Sequence, residues 1–402
     1  MRVTVIGAGH VGLVTAACLA HVGHEVVVDD DDVSKLDLLR EGRSWFYEPG
    51  LQELLGEVVR AGRLRIAGDK GEAVGHGTVI FICVGTPSRA DGSPNLTVVE
   101  AVAREVARHL PAGEFRLVCE KSTVPVQTGE RVAQVIAREA SPGAGWEVAS
   151  NPEFLREGSA VVDTLDPDRI VVGTDSERGA ALLTELYRPM VAATGCALLA
   201  TDRATAELIK HASNAFLATK ISFINTVAAI CERSGADVAL VARGMGLDPR
   251  IGPQFLEAGA GYGGSCFPKD VAAFAHRSAE LGIDFGILRE TARVNLAARQ
   301  RVLDKVRDAL WHLAGNQAVA LVPEIKLAPE PLDAVEGAHA LVVMTGWPEL
   351  AELDPLVARE RMAYPILVDA RNALDAEAFG RAGFTVIGVG RPVRNALTPA
   401  WR

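Results

Sequence analysis

The stretch Val3-Thr4-Val5-Ile6-Gly7-Ala8-Gly9-His10-Val11-Gly12 decides the fold of this chain. A short apolar run ends in a glycine turn, and the alanine-rich segment Val11–His21 continues from it as a helix. The first glycine of Gly-x-Gly-x-x-Gly permits the tight turn. The second lets a pyrophosphate approach the backbone, and the third allows close helix–strand packing. The free N–H groups of the helix start then face the phosphates. A second strand, Glu25–Val28, runs into Asp29-Asp30-Asp31-Asp32, roughly 20 residues past the glycines, where a dinucleotide fingerprint carries its acid. A carboxylate there accepts hydrogen bonds from a ribose diol and repels a 2′-phosphate, so NAD is expected rather than NADP. Asp30 is the expected ribose acid, with Asp32 next. The competing reading is a tight turn followed by a solvated acidic run.

Outward from this turn, residues 1 to about 200 alternate apolar runs with amphipathic stretches. Strands are predicted at Val79–Val84, Leu117–Glu120, Glu147–Ser150 and Ile170–Gly173 as well. Such alternation implies βαβ units and a doubly wound parallel sheet, an α/β fold of Rossmann type. From Asp202 to Ser234 the pattern is one long helix. Further helical stretches run from Ala236, broken at Gly244–Pro253, through Asp270–Leu281, and from Gly286 to about Ala314. The last part returns to short strands at Ala340–Met344, Ile366–Asp369 and Thr385–Val389, too few for a comfortable domain. The expected organisation is therefore a dinucleotide-binding domain over 1–200, a central all-helical domain over 201–314, and a shortened α/β domain over 315–402.

The chain has 402 residues, 23% charged and 49% hydrophobic, with a net charge of -10. Two or three domains with sizeable cores fit this length. The negative balance argues against nucleic acid or an anionic membrane surface as partner, and an anionic ligand must meet a local cluster of Lys, Arg or helix N-termini. No charged and apolar leader precedes the first strand, and no apolar run reads as long enough to span a bilayer. A cytoplasmic location is expected. The six cysteines (18, 83, 119, 196, 231 and 266) show no C-x-x-C spacing. Neither a disulfide framework nor a metal site is expected, and five of them read as small buried hydrophobes.

The sixth is Cys266, in Gly261-Tyr262-Gly263-Gly264-Ser265-Cys266-Phe267-Pro268-Lys269-Asp270. Glycines at 259, 261, 263 and 264 let the backbone fold closely round a ligand. Pro268 starts a helix, so Cys266 lies just before a helix N-terminus, where a thiolate is stabilised. Lys269 adds positive charge, and Asp270 is placed to orient a lysine or a water. A dinucleotide alone takes an alcohol to a carbonyl. A thiol nucleophile can trap the aldehyde for a second oxidation, so the pair points to a four-electron alcohol-to-acid conversion.

Lys210 and Asn214 stand at i, i+4 on one face of the long helix. On a buried helix they need a partner to offset desolvation, and a substrate oxygen that becomes negative is one such partner. The bland alternative is a lysine reaching solvent and an asparagine bonded to backbone. Val84-Gly85-Thr86-Pro87, Lys121-Ser122-Thr123-Val124-Pro125 and Asn151-Pro152-Glu153-Phe154-Leu155-Arg156 each follow a strand, at the sheet end where ligands bind. Glu153 is a candidate base or water-orienting carboxylate, with turn chemistry and capping as the rival.

These residues together resemble the UDP-glucose 6-dehydrogenase family. The motifs that carry the resemblance are GAGHVGLVTA, YEPGL, FICVGTP, KSTVPV, NPEFLREGSAV, DPDRIVVG, ELIKHASNAFLATKISFIN and DPRIGPQFLEAGAGYGGSCFPKD. They cover residues 1 to about 315 closely and 324–392 more loosely. GDP-mannose dehydrogenases share the general scheme. The resemblance implies oxidation of UDP-glucose by two NAD and water to UDP-glucuronate, with Cys266 as nucleophile through a thiohemiacetal and a thioester. It implies Lys210 and Asn214 as the oxyanion pair, and Asp270 as the acid that helps activate water, assisted by Thr123 and Glu153. Phe154, Leu155, Arg156, Arg250, Phe255, Leu256, Gly259, Tyr262, Gly263 and Arg371 join Glu153, Lys210 and Asn214 on the substrate side. The cofactor set is Gly7, Gly9, His10, Val11, Gly12, Asp30, Lys35, Thr86, Ser122, Thr123 and Lys269. The long helix resembles the family's dimer-forming helix, which implies a homodimer. The alternatives are a 6-dehydrogenase of another nucleotide sugar such as GDP-mannose, a two-electron hydroxyacid dehydrogenase, and an impaired member acting as a dimerisation partner.

The chain departs from the family pattern in places. Leu313–Pro323 runs straight into Glu324–Ala328, so most of a βαβ unit of the third domain is absent, with an arginine used on the UDP moiety. Smaller departures are His211 for tyrosine, Gln127 for glycine, and Trp45 for proline in the segment Gly42-Arg43-Ser44-Trp45-Phe46-Tyr47-Glu48-Pro49-Gly50. Losing strands from a parallel sheet should expose apolar edges. Losing the arginine should weaken UDP-sugar binding by about 1.5–3 kcal/mol, the worth of a charged hydrogen bond.

Overall fold

A computed structural model describes residues 1–89, 91–313 and 326–393. Two compact units are present, Met1–Asn214 with Ala272–Ile283, and Ala215–Val271 with Asp284–Arg402.

The first unit alternates strand and helix. In chain order these are β1 (Arg2–Ile6), α1 (His10–His21), β2 (Glu25–Asp29), α2 (Val33–Arg40), α3 (Leu51–Arg60), β3 (Leu64–Ile66), α4 (Lys70–His76), β4 (Val79–Ile82), α5 (Thr97–His109), β5 (Phe115–Glu120), α6 (Thr128–Glu139), β6 (Gly145–Ser150), α7 (Ala160–Leu165), β7 (Arg169–Gly173), α8 (Glu177–Thr194) and β8 (Ala197–Thr201). The eight strands form one sheet in the order β3-β2-β1-β4-β5-β6-β7-β8. Central strands read as continuous Val/Ile runs because helices cover both faces; every residue of β4 is buried. The chain winds outward from β1 to β3, then returns to β4 on the other side of β1. That reversal makes the carboxyl ends of β1 and β4 the crevice where a ligand binds in such sheets.

The pairing is parallel except between β6 and β7, which meet antiparallel at Ser150 and Gly173. Two strands escape the sequence reading. β3 has three residues, and β8 is an edge strand with no buried residue, so neither carries a strong apolar signal. Cys196, expected to be buried, is half-buried at the start of that edge.

The long helix α9 (Arg203–Ser234) is continuous, as expected, and passes from the first unit into the second. α10 (Val238–Gly246), α11 (Phe267–Glu280) and α12 (Gly286–Leu313) follow. The second unit ends in a three-stranded parallel sheet, β11-β10-β9, built from β9 (Leu341–Val343), β10 (Ile366–Asp369) and β11 (Thr385–Gly388). α13 (Pro331–Ala334), α14 (Pro355–Arg361) and α15 (Ala376–Arg381) accompany it. Ala309 of α12 packs with Ile366, Val368 and Ile387 on one sheet face, while Phe379, Phe384, Leu367 and Val386 form the core on the other. β9 is an edge, and Val342 and Met344 on and beside it are exposed. The junction itself, residues 314–325, lies outside the described residues.

One expectation is corrected. By length and composition α9 is long and apolar enough to cross a membrane, although no run was expected to be. The physical reason is packing inside the protein. Ser222 and Asn225 of α9 are buried and bonded within their own unit, Ser222 Oγ donating to Thr291 O at 2.9 Å and Asn225 Oδ1 accepting Gly259 N–H at 3.0 Å. α9 carries few exposed charges along its length, so its composition reads like that of a span although it packs partly inside the protein.

Candidate active site

The glycine turn sits at the β1/β4 reversal. Gly7 has φ of 100°, and a Cβ on it would stand 2.7 Å from Cys83 O. A Cβ on Gly12 would stand 1.9 Å from Gly7 O. Both positions therefore demand glycine. A Cβ on Gly9 meets nothing within 4 Å, which leaves its face open to a phosphate. Gly9 is the N-cap of α1, whose first turn holds no acid to repel an anion. Asp30 follows β2, its Oδ2 accepting Ala8 N–H at 2.6 Å and its Oδ1 accepting Asp32 N–H at 2.8 Å. Asp32 instead caps α2 by accepting Ser34 N–H at 3.1 Å, so only Asp30 of the two is bonded to the glycine turn. These residues fit a dinucleotide.

The rest of the cofactor set is dispersed in its engagements. Lys35 Nζ lies 4.0 Å from Asp30 Oδ1. His10 Nε2 meets Glu48 Oε2 at 2.8 Å, and buried Glu48 also accepts Gly158 N–H and Ala160 N–H at 3.0 and 2.8 Å. Thr86 Oγ1 donates to Thr123 O at 2.8 Å, and Ser122 Oγ donates to Val84 O at 2.8 Å. Those two hydroxyls knit the ends of β4 and β5 together, which is the turn chemistry weighed against them.

Next along the sheet, Lys210 Nζ of α9 lies 2.9 Å from Glu153 Oε1, and both side chains are buried. The buried lysine thus meets a carboxylate of its own chain rather than waiting for a substrate oxygen. Phe154 lies under Lys210 Nζ at 5.4 Å and under Arg169 at 4.0 Å from its ring centre. Glu153 Oε2 accepts Leu155 N–H at 2.7 Å, and Thr123 Oγ1 donates to Oε1 at 3.4 Å. Burial pushes the Glu153 carboxyl up, but Lys210 outweighs it and the group stays below the usual carboxylate range. Asn214, one turn on, is buried too.

A polar network missed in the sequence underlies this pair. Lys121 Nζ donates to Asn151 Oδ1 at 3.0 Å, Tyr187 OH donates to the same oxygen at 2.5 Å, and Asn151 Nδ2 donates to Val171 O at 2.7 Å. Asn151 pins the turn that delivers Glu153. Beside it, burial pushes the Glu120 carboxyl up to about 8. Glu207, one turn before Lys210, caps α6 by accepting the N–H groups of Gln127 and Gly129 at 2.6 and 2.8 Å, and burial raises it to about 7. Glu120, Lys121 and Asn151 show in the sequence as polar side chains at strand ends, while Tyr187 and Glu207 lie inside helices with no such signal.

In the second unit Cys266 is half-buried and directly precedes α11, its carbonyl accepting Asp270 N–H at 3.0 Å. Buried Asp270 accepts Lys269 Nζ at 2.7 Å. Tyr262 is clamped: its N–H donates to Asn295 Oδ1 at 2.7 Å, and its carbonyl accepts Asn295 Nδ2 at 3.0 Å and Arg299 Nη2 at 2.7 Å. Phe255, at φ of 63°, and Tyr262 both meet Phe267 edge-on. A Cβ on Gly259 would stand 2.5 Å from Ala370 O, beside Arg371, and Leu256 is buried nearby in sequence. A Cβ on Gly263 would meet Arg299 at 3.8 Å. Burial pushes the Cys18 and Cys83 thiols up to about 12 and Cys119 upward as well, so these three are inert fillers.

Two predicted substrate residues hold other partners. Arg156 grips Asp163 with Nε and Nη2 at 3.1 and 2.6 Å. Arg250 forks onto Asp248 at 2.6–3.2 Å while remaining exposed. Among the described residues no group of three or more His, Cys, Asp or Glu is placed to hold a metal.

A Gly-rich turn at a sheet reversal, with Asp30 at the end of β2 and a buried lysine–carboxylate pair after β6, fits an NAD-dependent oxidoreductase. Three models of the UDP-glucose/GDP-mannose dehydrogenase family match in succession: the NAD binding domain over residues 1–191, the central domain over 204–297 and the UDP binding domain over 298–376. The chain belongs to this family. It is 40% identical over 440 aligned positions to a UDP-glucose 6-dehydrogenase of Rhizobium meliloti (strain 1021), covering 98% of this chain and all of that one. It is 35% identical to the UDP-glucose 6-dehydrogenase TuaD of Bacillus subtilis (strain 168), with 99% and 95% covered. The 440 aligned positions exceed the 402 residues of the chain, so this chain carries gaps against the first relative. Among solved structures it resembles a UDP-glucose dehydrogenase from the hyperthermophilic archaeon Pyrobaculum islandicum, at 35% identity and a TM-score of 0.79, covering 97% of this chain and 94% of that one. A UDP-D-ManNAc dehydrogenase from Pyrococcus horikoshii aligns at 26% identity and a TM-score of 0.83, with 97% and 99% covered.

Proposed function

We propose that this enzyme oxidises the C6 hydroxymethyl of UDP-glucose to a carboxylate through a covalent intermediate on Cys266. The balance is one UDP-glucose, two NAD and one water giving UDP-glucuronate, two NADH and three protons. NAD supplies acceptance of one hydride in each oxidation. The chain supplies the rest. Lys210 and Asn214 steady the charge that develops on the C6 oxygen, and Glu153 holds the Lys210 ammonium in place. The Cys266 thiolate adds to the aldehyde carbon as a thiohemiacetal. Loss of the second hydride gives a thioester. Water, activated by Asp270 with Thr123 and Glu153 assisting, cleaves it and returns the thiol.

The observation that carries the four-electron reading is Cys266 at the entrance of α11, within a glycine-rich turn. A two-electron dehydrogenase has no use for it. The names of the relatives support UDP-glucose as the sugar. The substrate contacts are assigned to Phe154, Leu155, Arg156, Arg250, Phe255, Leu256, Gly259, Tyr262, Gly263 and Arg371. For Arg156 and Arg250 this requires release of Asp163 and Asp248. The regions are cofactor binding over 1–200, dimerisation and catalysis over 201–314, and UDP-sugar binding over 315–402.

The enzyme acts as a homodimer joined through α9. Phe216, Phe223 and Ile230 recur at seven-residue spacing on that helix and are all more than half exposed, an apolar stripe suited to a second copy. All six cysteines are free, which supports a reducing, cytoplasmic setting. The test is NADH formed per sugar across UDP-glucose, UDP-galactose and GDP-mannose. Two NADH per UDP-glucose is the expected result; one NADH, or preference for GDP-mannose, overturns the assignment.

A further inference from the structure

The loop from Glu41 to Gly50 delivers an indole to the glycine turn. Trp45 Nε1 donates to Ala8 O at 2.9 Å. On the other side of the same residue, Ala8 N–H donates to Asp30 Oδ2 at 2.6 Å. Ala8 is therefore held at both its polar groups, by the ribose acid and by Trp45. The indole is itself fixed: Lys35 Nζ lies 4.9 Å from its ring centre, and Phe46 meets its edge at 4.8 Å. Phe46 in turn tilts onto His10 at 4.9 Å, at the first residue of α1. Ser44 and Gln52 close the loop, Ser44 N–H donating to Gln52 Oε1 at 3.0 Å and Gln52 Nε2 to Gly42 O at 2.9 Å. Even so, 41% of Trp45 stays exposed.

We infer that Trp45 is a cofactor-positioning residue that locks the Gly7–Gly9 turn through Ala8 and offers an aromatic surface to the adenosine half of the dinucleotide. The inference rests on reading Gly7–Asp30 as the NAD site. It goes beyond that reading because nothing in the Gly-x-Gly-x-x-Gly pattern calls for an indole. Two physical effects combine. A turn held before the ligand arrives loses less freedom on binding. An exposed aromatic face beside the ribose acid gives a purine a stacking surface. Lys35, held between the indole and the carboxylates of Asp30 and Asp32, keeps a positive charge at the same end.

The test is calorimetric titration of the full chain with ADP-ribose and with NADH, comparing the parent, Trp45→Phe, Trp45→Ala and Asp30→Asn. Trp45→Phe removes the N–H donor and the five-membered ring while keeping a six-membered aromatic face, and should weaken ADP-ribose binding about three- to tenfold. Trp45→Ala removes the ring as well and should weaken it about ten- to a hundredfold. Emission at the tryptophan band should fall when NADH is added to the parent and fall much less for Trp45→Phe. Parent-like affinity in Trp45→Phe, with Asp30→Asn impaired, overturns the role of Trp45 and leaves the NAD site standing. Parent-like affinity in Asp30→Asn overturns the site reading itself. Should Trp45→Ala fail to fold, Trp45→Phe, a smaller but still aromatic change, still decides the matter.

Discussion

Lys210 Nζ and Glu153 Oε1 stand 2.9 Å apart with both side chains buried, so the ammonium assigned to the reacting oxygen is aimed by a carboxylate of its own chain. Removing one partner strands the other charge away from water. Lys210→Met should therefore cost about 3–5 kcal/mol of unfolding free energy, and the double change Lys210→Met with Glu153→Leu should recover most of it. Turnover should fall by about 10²–10³ in Lys210→Met and stay lost in the double variant. Denaturant melts and initial rates measure the two effects separately. The pair holds the Glu153 carboxyl below its ordinary value of 4.5. Its stabilisation is present above that pH and lost as pH falls through the depressed folded value.

Glu120 gives the opposite sign. Burial pushes its carboxyl from an ordinary 4.5 up to about 8, and Oε2 has no hydrogen-bond partner among the described residues. The folded chain holds a proton there that the unfolded chain has released. The stability it preserves is full below about pH 4.5 and is lost as pH rises toward 8. Glu120→Gln keeps the shape and can still accept Ser122 N–H. Melting temperature against pH should flatten between pH 5 and 8 in this variant, with a gain on the order of a few kcal/mol at the alkaline end. Parallel curves for parent and variant would rule the proton out.

The third domain bears on affinity. The family resemblance implies that an arginine for the UDP moiety is missing, and on that reading UDP-glucose should bind about 10- to 100-fold more weakly than a full site allows. NAD should raise the melting temperature at ordinary concentrations, whereas UDP-glucose should do so only at millimolar levels. Strong stabilisation by micromolar UDP-glucose contradicts this.

The apolar stripe on α9 can be broken without touching the site residues. Phe223 is exposed, and Phe223→Asp should shift the sedimentation coefficient from dimer to monomer while NAD still binds. A parent that sediments as a monomer removes the dimer proposal.

Much of the first unit is legible in the sequence because its signals are local. A strand, three glycines and an acid at fixed spacing dictate the β1–α1–β2 turn, and steric contact at Gly7 and Gly12 explains why. The unbroken apolar pattern of Asp202–Ser234 likewise predicts α9 almost to the residue. What escapes is set by the tertiary fold. β8 lies at a sheet edge with no buried residue, so neither period nor apolarity marks it. Glu153 reaches Lys210 from the connection between β6 and α7, a pairing no spacing rule predicts. Trp45 reads in sequence only as a departure from a pattern; its bond to Ala8 appears once the loop is folded over the turn. Arg156 and Arg250 stand on the substrate side by family resemblance, yet each is folded back on an aspartate within seven residues of it in sequence.

The central claim is that the sulfur of Cys266 carries the sugar between the two oxidations. Mass spectrometry of the products and of the intact chain from Cys266→Ser, incubated with UDP-glucose and NAD, tests it most directly. The account predicts no UDP-glucuronate and no thioester-linked sugar, against both in the parent. UDP-glucuronate formed by Cys266→Ser at the parental rate would contradict it.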